Sequence, residues 1–267
     1  MTNPWWRGGG WSFEPPEPLS ILELVNFGSM DLRLAGILWL MMERRASVVV
    51  AAGPSNAGKS TLLGALMDLL PPGVEQIHLM NTVEDIIFSE DTVPANTYLV
   101  ASEISNHGFY LWGHEAWRAF ELLSGGCGLS GTMHARTVRE TIDILHIALG
   151  LPLSQIANLD AVVTIRMTGS WEAPVRRVEA VGLITPEKDG LSIRIISSRS
   201  LDNEELNFAD DGELYAALSG KIGISANLIG PEIQLREQFL GNLIKQDRIS
   251  PEEVKKAAIE FYRSRHP

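Results

Sequence analysis

One cysteine, Cys127, stands among 267 residues, so an internal disulfide is excluded. Long apolar runs are missing as well. The charge-free stretch Leu34 to Met42 is too short to cross a bilayer, and Ile144 to Leu159 is broken by His146, Pro152, Gln155 and Asn158, so no direct membrane span is expected. Near the N-terminus, Trp, Gly and Pro stand where a signal peptide would have an apolar core, which points to a reducing cytoplasm. Positive charge is scarce: 22 Lys and Arg against 33 Asp and Glu leave a formal charge of -11. That balance opposes binding to nucleic acid or anionic lipid by charge alone and leaves proteins as the expected partners. The deficit is local too. Residues 60 to 117 contain no Lys or Arg, yet hold Asp68, Glu75, Glu84, Asp85, Glu90, Asp91, Glu103 and Glu115. A hydrophobic content of 45% is enough for one large α/β core with a small appended module, and it excludes disorder of the whole chain.

Against this background the most informative stretch is Gly53-Pro54-Ser55-Asn56-Ala57-Gly58-Lys59-Ser60, followed by Thr61, a complete G-x-x-x-x-G-K-[ST] pattern. The β-branched run Val48 to Val50 before it favours a buried parallel strand, and Thr61 to Leu70 after it has a helical pattern. Glycines allow the turn, and amide N–H groups at a helix N-terminus then converge on a phosphate. Lys59 would reach the β- and γ-phosphates and Ser60 would hold Mg²⁺.

Along the chain, residues 1 to 18 hold Trp5, Trp6, Trp11, Gly8 to Gly10 and Pro15-Pro16 with no helical or strand period. They are expected either as a flexible tail or as a set of indole anchors for a partner. Leu19 to Phe27 and Met30 to Arg45 read as helices, and the core is expected to extend over residues 19 to 200. Strands are expected at Ile77 to Met80, Thr97 to Ala101, Leu129 to Met133, Ala161 to Met167, Val175 to Ile184 and Leu191 to Ile196. The last of these read as scaffold. Glu84 and Asp85 follow the second strand and Glu103 the third, at the sheet edge where ligands of open α/β folds gather. Glu103 is placed to join a magnesium shell or orient water, and His134 ends the fourth strand. Helices are expected over Glu115 to Ser124 and Thr137 to Leu149. Residues 201 to 267 read as an acidic linker, through Asp202, Glu204, Glu205, Asp210 and Asp211, and C-terminal helices. Ile233, Leu235, Phe239 and Leu243 form the stripe of one helix, and Ser250-Pro251-Glu252-Glu253 opens the next.

Taken together, these stretches resemble the ATPase domain of the traffic ATPases of type II and type IV secretion and of type IV, archaeal and tight-adherence pili. The phosphate loop Gly53 to Thr61 is similar to the family's Gly-Pro-Thr-Gly-Ser-Gly-Lys-Thr-Thr, and Thr82-Val83-Glu84-Asp85 to its Asp box. Ser102-Glu103-Ile104-Ser105 matches its Walker B in part, and Gly125-Gly126-Cys127 with Gly131-Thr132-Met133-His134-Ala135 its His box; Arg139-Glu140 also fits. The resemblance implies an α/β fold, a RecA-like P-loop NTPase core with a central, mainly parallel sheet and a C-terminal helical tail. It implies ATP and Mg²⁺ as ligands, Glu84 and Glu103 positioning the attacking water, Glu103 with Ser60 at the metal, and His134 sensing the γ-phosphate. It further implies a homo-oligomer, usually a hexamer, or a hetero-oligomer with a full-length paralogue. The partner would be a membrane platform protein, reached from the cytoplasm at the inner face of the membrane.

The departures are as specific as the matches. The family carries a separate N-terminal domain ahead of the ATPase core, and here a Trp/Gly/Pro stretch and two helices precede the phosphate loop. Its arginine-finger segment has no counterpart in the short acidic connector between Asp85 and Glu103. Ser105 replaces the Walker B arginine and Cys127 the first His-box histidine. An arginine finger is worth about 10³ to 10⁵ in turnover, so slow intrinsic hydrolysis is expected, with the missing cation supplied by Arg118, Arg136 or Arg139, by Arg44 or Arg45 of a neighbouring subunit, or by another protein. The alternative is a hydrolysis-poor regulatory or assembly subunit derived from the same family.

Overall fold

A computed structural model describes residues 18–79, 94–170, 172–200 and 202–265. The Trp-rich stretch and the Asp box with Glu84 and Asp85 therefore lie outside the described residues.

The phosphate loop follows β1 (Val48–Ala51), whose four residues are all buried and alternate between two cores. Val48 and Val50 face one apolar cluster, and Val49 and Ala51 face the other. That is the two-residue period of a strand covered on both faces, which parallel strands require. Four more strands run parallel or adjoin it: β2 (Glu75–Leu79), β3 (Thr97–Ile104), β4 (Gly128–Met133) and β5 (Ala161–Gly169). The sheet continues antiparallel through β6 (Pro174–Glu187), β7 (Gly190–Arg199) and β8 (Leu206–Phe208). Its order is β2-β3-β4-β1-β5-β6-β7-β8, with β1 paired in parallel to both β4 and β5. A phosphate-loop strand set between the fourth and fifth strands of the chain is the RecA-like arrangement.

Nine helices flank the sheet among the described residues. α1 (Ile21–Asn26), α2 (Leu32–Glu43), α3 (Lys59–Met67), α7 (Asp211–Ile222), α8 (Ala226–Lys245) and α9 (Pro251–Arg265) bury residues in the first cluster. α4 (Gly113–Ser124), α5 (Val138–Asp143) and α6 (Leu153–Ile156) cover the opposite face. None of the described helices is long and apolar enough to cross a membrane.

Three expectations need correction. The acidic stretch after Ser198 is not simply a linker. It contains β8, and Asp210 caps α7 by accepting from the Gly212 N–H at 2.9 Å, so its acids sit where a helix dipole favours them. In α8 the buried stripe runs through Ile229, Ile233, Arg236, Leu240 and Leu243, and Leu235 faces solvent. The helix expected to Leu149 is α-helical only to Asp143 and widens into a π turn, Ile144–Ala148, closed by the Leu149 N–H on the Ile144 carbonyl at 3.0 Å. Leu145 and Leu149 are both buried across that turn while Ile147 is left exposed.

Tyr98 pins β3 to the central strands. Its hydroxyl donates to the Ala46 carbonyl at 2.5 Å and lies 2.7 Å from Ser130 Oγ, while its ring covers Gly128. A Cβ on Gly128 would sit 2.2 Å from that ring. We expect Gly128→Ala to cost about 1–3 kcal/mol by overpacking, measured by chemical unfolding. A cost below about 0.5 kcal/mol, the range of neutral surface changes, would refute this packing.

Candidate functional site

Three chain segments meet at the C-terminal edge of the sheet. β1 ends at Ala51, and the chain turns through Gly53 to Gly58 before α3 begins at Lys59. Gly58 has φ +90°, a left-handed conformation that glycine adopts without strain, and this sets the first turn of α3 against the loop. The first N–H groups of a helix lack intrahelical acceptors, so the turn presents donors beside the loop. Lys59 is 6% exposed, which is unusual for a lysine, and Ser60 follows it at an exposed position.

Glu103 comes from the end of β3. The β3–β4 register shifts between Ala101 and Ile104, and such a bulge re-aims the side chains that it contains. The shifted backbone is held by Thr132 Oγ1 donating to the Ser102 carbonyl at 2.6 Å and the Leu111 N–H donating to the Glu103 carbonyl at 3.0 Å. His134 follows the last residue of β4, Met133, whose carbonyl accepts the Ala52 N–H at 3.2 Å and so locks the ends of β1 and β4 together.

The three side chains converge. Lys59 Nζ lies 3.3 Å from His134 Nε2, and Glu103 Oε1 lies 3.6 Å from the same nitrogen. His134 Nδ1 is 3.1 Å from the Gly53 carbonyl, which can only accept, so Nδ1 carries the proton of that bond. Neutral, His134 offers its Nε2 lone pair to the Lys59 ammonium; doubly protonated, it would instead donate to Glu103. Burial pushes the Lys59 ammonium below the usual lysine range, and the Glu103 charge opposes that shift. An incoming anion would act in the same direction as Glu103. The site thus sets a desolvated cation, a carboxylate and a histidine beside the phosphate loop and the start of α3.

The structure brings Lys59, Glu103 and His134 together with the loop Gly53 to Ser60, and Thr61 extends the first turn of α3. Glu84 and Asp85 lie outside the described residues. Cys127 is buried beneath the sheet, its thiol pushed up by burial, and so acts as a packing residue. Among the arginines considered from the sequence, Arg118 pairs with Glu121 at 2.8 Å on α4, and Arg45 donates to the Pro94 carbonyl at 3.3 Å, before β1 rather than after it. Among the described residues nothing ties Arg44 or Arg139 to the loop. Arg136 does reach it: a Cβ on Gly53 would lie 2.8 Å from Arg136 Cγ. Sequence reasoning missed Arg176, on β6, whose Nε donates to the Asn56 carbonyl at 2.8 Å. No spacing rule joins positions 56 and 176, and the pair Arg176-Arg177 in a segment taken for scaffold was the sole hint.

No family model matches the chain. It is 23% identical over 264 residues to one uncharacterized protein of Methanocaldococcus jannaschii, covering 88% of this chain and 95% of that one. It is 22% identical over 272 residues to a second from the same organism, covering 92% of this chain and 49% of that protein. Among solved structures it is similar to the VirB11 ATPase from the Brucella suis type IV secretion system, at 23% identity and TM-score 0.38, over 60% of this chain and 53% of that one. It is also similar to the Legionella pneumophila ATPase DotB, at 13% identity and TM-score 0.40, over 93% of this chain and 68% of that one. These scores leave the assignment of function to the site itself.

Proposed function

We propose that the chain is a nucleoside-triphosphate-binding and -hydrolysing subunit, an ATPase of the secretion and pilus traffic type with Mg-ATP at the loop Gly53 to Thr61. The observation that carries this is the convergence of Lys59, Glu103 and His134, from the starts and ends of three separate elements, on one phosphate loop. The donor set fits the ligand: a buried ammonium, helix-start amides, the Ser60 hydroxyl for the metal and the Glu103 carboxylate opposite. Bound there, Mg-ATP supplies a transferable phosphoryl group and a divalent charge. Lys59 would turn from His134 Nε2 to the phosphate oxygens and regain its full charge there. Glu103 would orient water and accept its proton, while Glu84 belongs to the same role by resemblance. His134, released from Lys59 and anchored through Nδ1 on the Gly53 carbonyl, would face the terminal phosphate. Positioning, charge neutralisation and the proton taken by Glu103 would be the protein's contribution to such a transfer. In this reading the protein acts in the cytoplasm as part of a ring, together with a membrane platform protein.

Thermal unfolding tests the site directly. Mg-ATP at about 100 times its Kd contributes about 2.7 kcal/mol, which for a chain of this size is about 5–10 °C. We expect that shift in the wild type and none in Lys59→Ala, together with phosphate release above the variant's level. An unfolding temperature unmoved by Mg-ATP would refute the nucleotide site. A shift without phosphate release would instead identify the hydrolysis-poor subunit favoured by the absence of Lys and Arg from residues 60 to 117.

A further inference from the structure

Two guanidinium groups stand at the phosphate loop with no carboxylate partner among the described residues. Arg136 lies two residues beyond His134, and its backbone N–H, not its side chain, is bound by Glu140 Oε2 at 2.7 Å. Its side chain runs over Gly53, where a Cβ would meet Arg136 Cγ at 2.8 Å and Nε at 3.3 Å. Arg176 meets the loop further along, at Asn56 and Gly58. Its Nε donates to the Asn56 carbonyl at 2.8 Å, and its Cδ would lie 3.2 Å from a Cβ on Gly58. With Nε so used, the two terminal nitrogens of Arg176 have no acceptor among the described residues. Other nearby arginines are engaged elsewhere: Arg166 with Glu179 and Glu204, Arg177 with the Phe27 carbonyl, and Arg199 with the Val178 and Ser29 carbonyls.

We infer that Arg136 and Arg176 clamp the terminal phosphate of a bound nucleoside triphosphate from within the same chain, supplying the positive charge that residues 60 to 117 lack. The inference rests on the nucleotide site proposed above. A guanidinium has five N–H donors in a planar fork suited to phosphate, and a carbonyl bond at Nε fixes the plane while the outer nitrogens remain available. Both side chains lie against the loop itself, Arg136 at Gly53 and Arg176 at Asn56 and Gly58. Gly53 follows from this: a side chain there would displace Arg136.

Titration calorimetry on the full chain, with a non-hydrolysable Mg-ATP analogue standing in for Mg-ATP beside Mg-ADP, reads the effect free of turnover. Arg136→Ala and Arg176→Ala are each expected to lose about tenfold in preference for Mg-ATP over Mg-ADP, the size of one charge-assisted hydrogen bond. Arg136→Lys and Arg176→Lys should recover part of it. Both arginines are solvent-accessible at least in part, and an unchanged unfolding temperature without ligand confirms folded variants. If the alanine variants weaken both nucleotides equally, Arg176 and Arg136 merely hold the loop, and the clamp is refuted. Unchanged affinities refute it too, with the nucleotide site intact. A wild type that binds neither nucleotide, as Lys59→Ala should not, removes the site itself.

Discussion

Glu103→Gln should lose about 10² to 10⁴ in turnover, the range for removing a positioned acid–base group, while Mg-ATP still raises the unfolding temperature. The carboxylate follows the β3 bulge and lies 3.6 Å from His134 Nε2. Gln keeps the shape and one acceptor but can take no proton. Coupled phosphate-release and thermal-shift assays on the same preparation separate the two effects. Retained turnover would move the water-positioning role to Glu84, and loss of both activities would make Glu103 a binding residue. A second consequence concerns pH. Burial lowers the Lys59 pKa and Glu103 raises it, so Glu103→Gln lowers it further. In the unliganded protein the unfolded chain then holds more protons at Lys59 than the folded one between the folded and unfolded pKa values. Stability therefore rises with pH across that window, and the substitution extends the window to lower pH.

Much of this was legible in the sequence because it is local. Val48 to Val50 report a strand buried on both faces, Gly58-Lys59 reports a helix start, and Glu103 and His134 are each the residue at or just past a strand end. The strand order could be anticipated from resemblance alone, since periodicity carries no information on which strands pair. What was not legible depends on contacts between distant positions. Arg176 reaches Asn56 only because β6 lies antiparallel to β5, itself paired with β1. Asp210 and Asp211 look like a solvated linker until a helix is seen to start there. Arg236 lies one position beyond Leu235, and the sequence pattern places Leu235 in the stripe where the structure buries Arg236. The helix surface advances about 100° per residue, so a shift of one position exchanges a core residue for an exposed one.

Arg236→Ala is the substitution expected to cost the most stability. Its side chain is 0% exposed and binds Glu43 and Glu232, the latter at 2.7 Å, with the Glu232 carbonyl at 2.8 Å. Its guanidinium lies 5.6 Å from the Trp39 ring and 5.2 Å from Phe261, and Trp39 Nε1 donates to Tyr262 Oη at 2.7 Å. This cluster joins α2, α8 and α9, so the C-terminal helices are part of the core that backs the phosphate-loop strand rather than an appendage. Breaking a buried ion pair from one side costs about 3–5 kcal/mol, because the remaining charge loses its partner, and at this chain length that lowers the unfolding temperature by about 6–20 °C. Arg236→Met with Glu43→Leu should recover most of it, since apolar groups of similar volume remove the charges together. The acid limb of stability carries the same signature. Burial pushes Glu232 up, but Arg236 and Arg265 together outweigh it and hold its carboxyl below the ordinary value. A depressed folded pKa contributes stability that is present above the unfolded value and is lost as pH falls through the folded one. Removing Arg236 weakens that contribution, so the wild type and Arg236→Ala should differ most near neutral pH and converge in acid. A constant difference across that range, or an unfolding temperature within about 1 °C of wild type, would show that the helices are held by apolar packing alone.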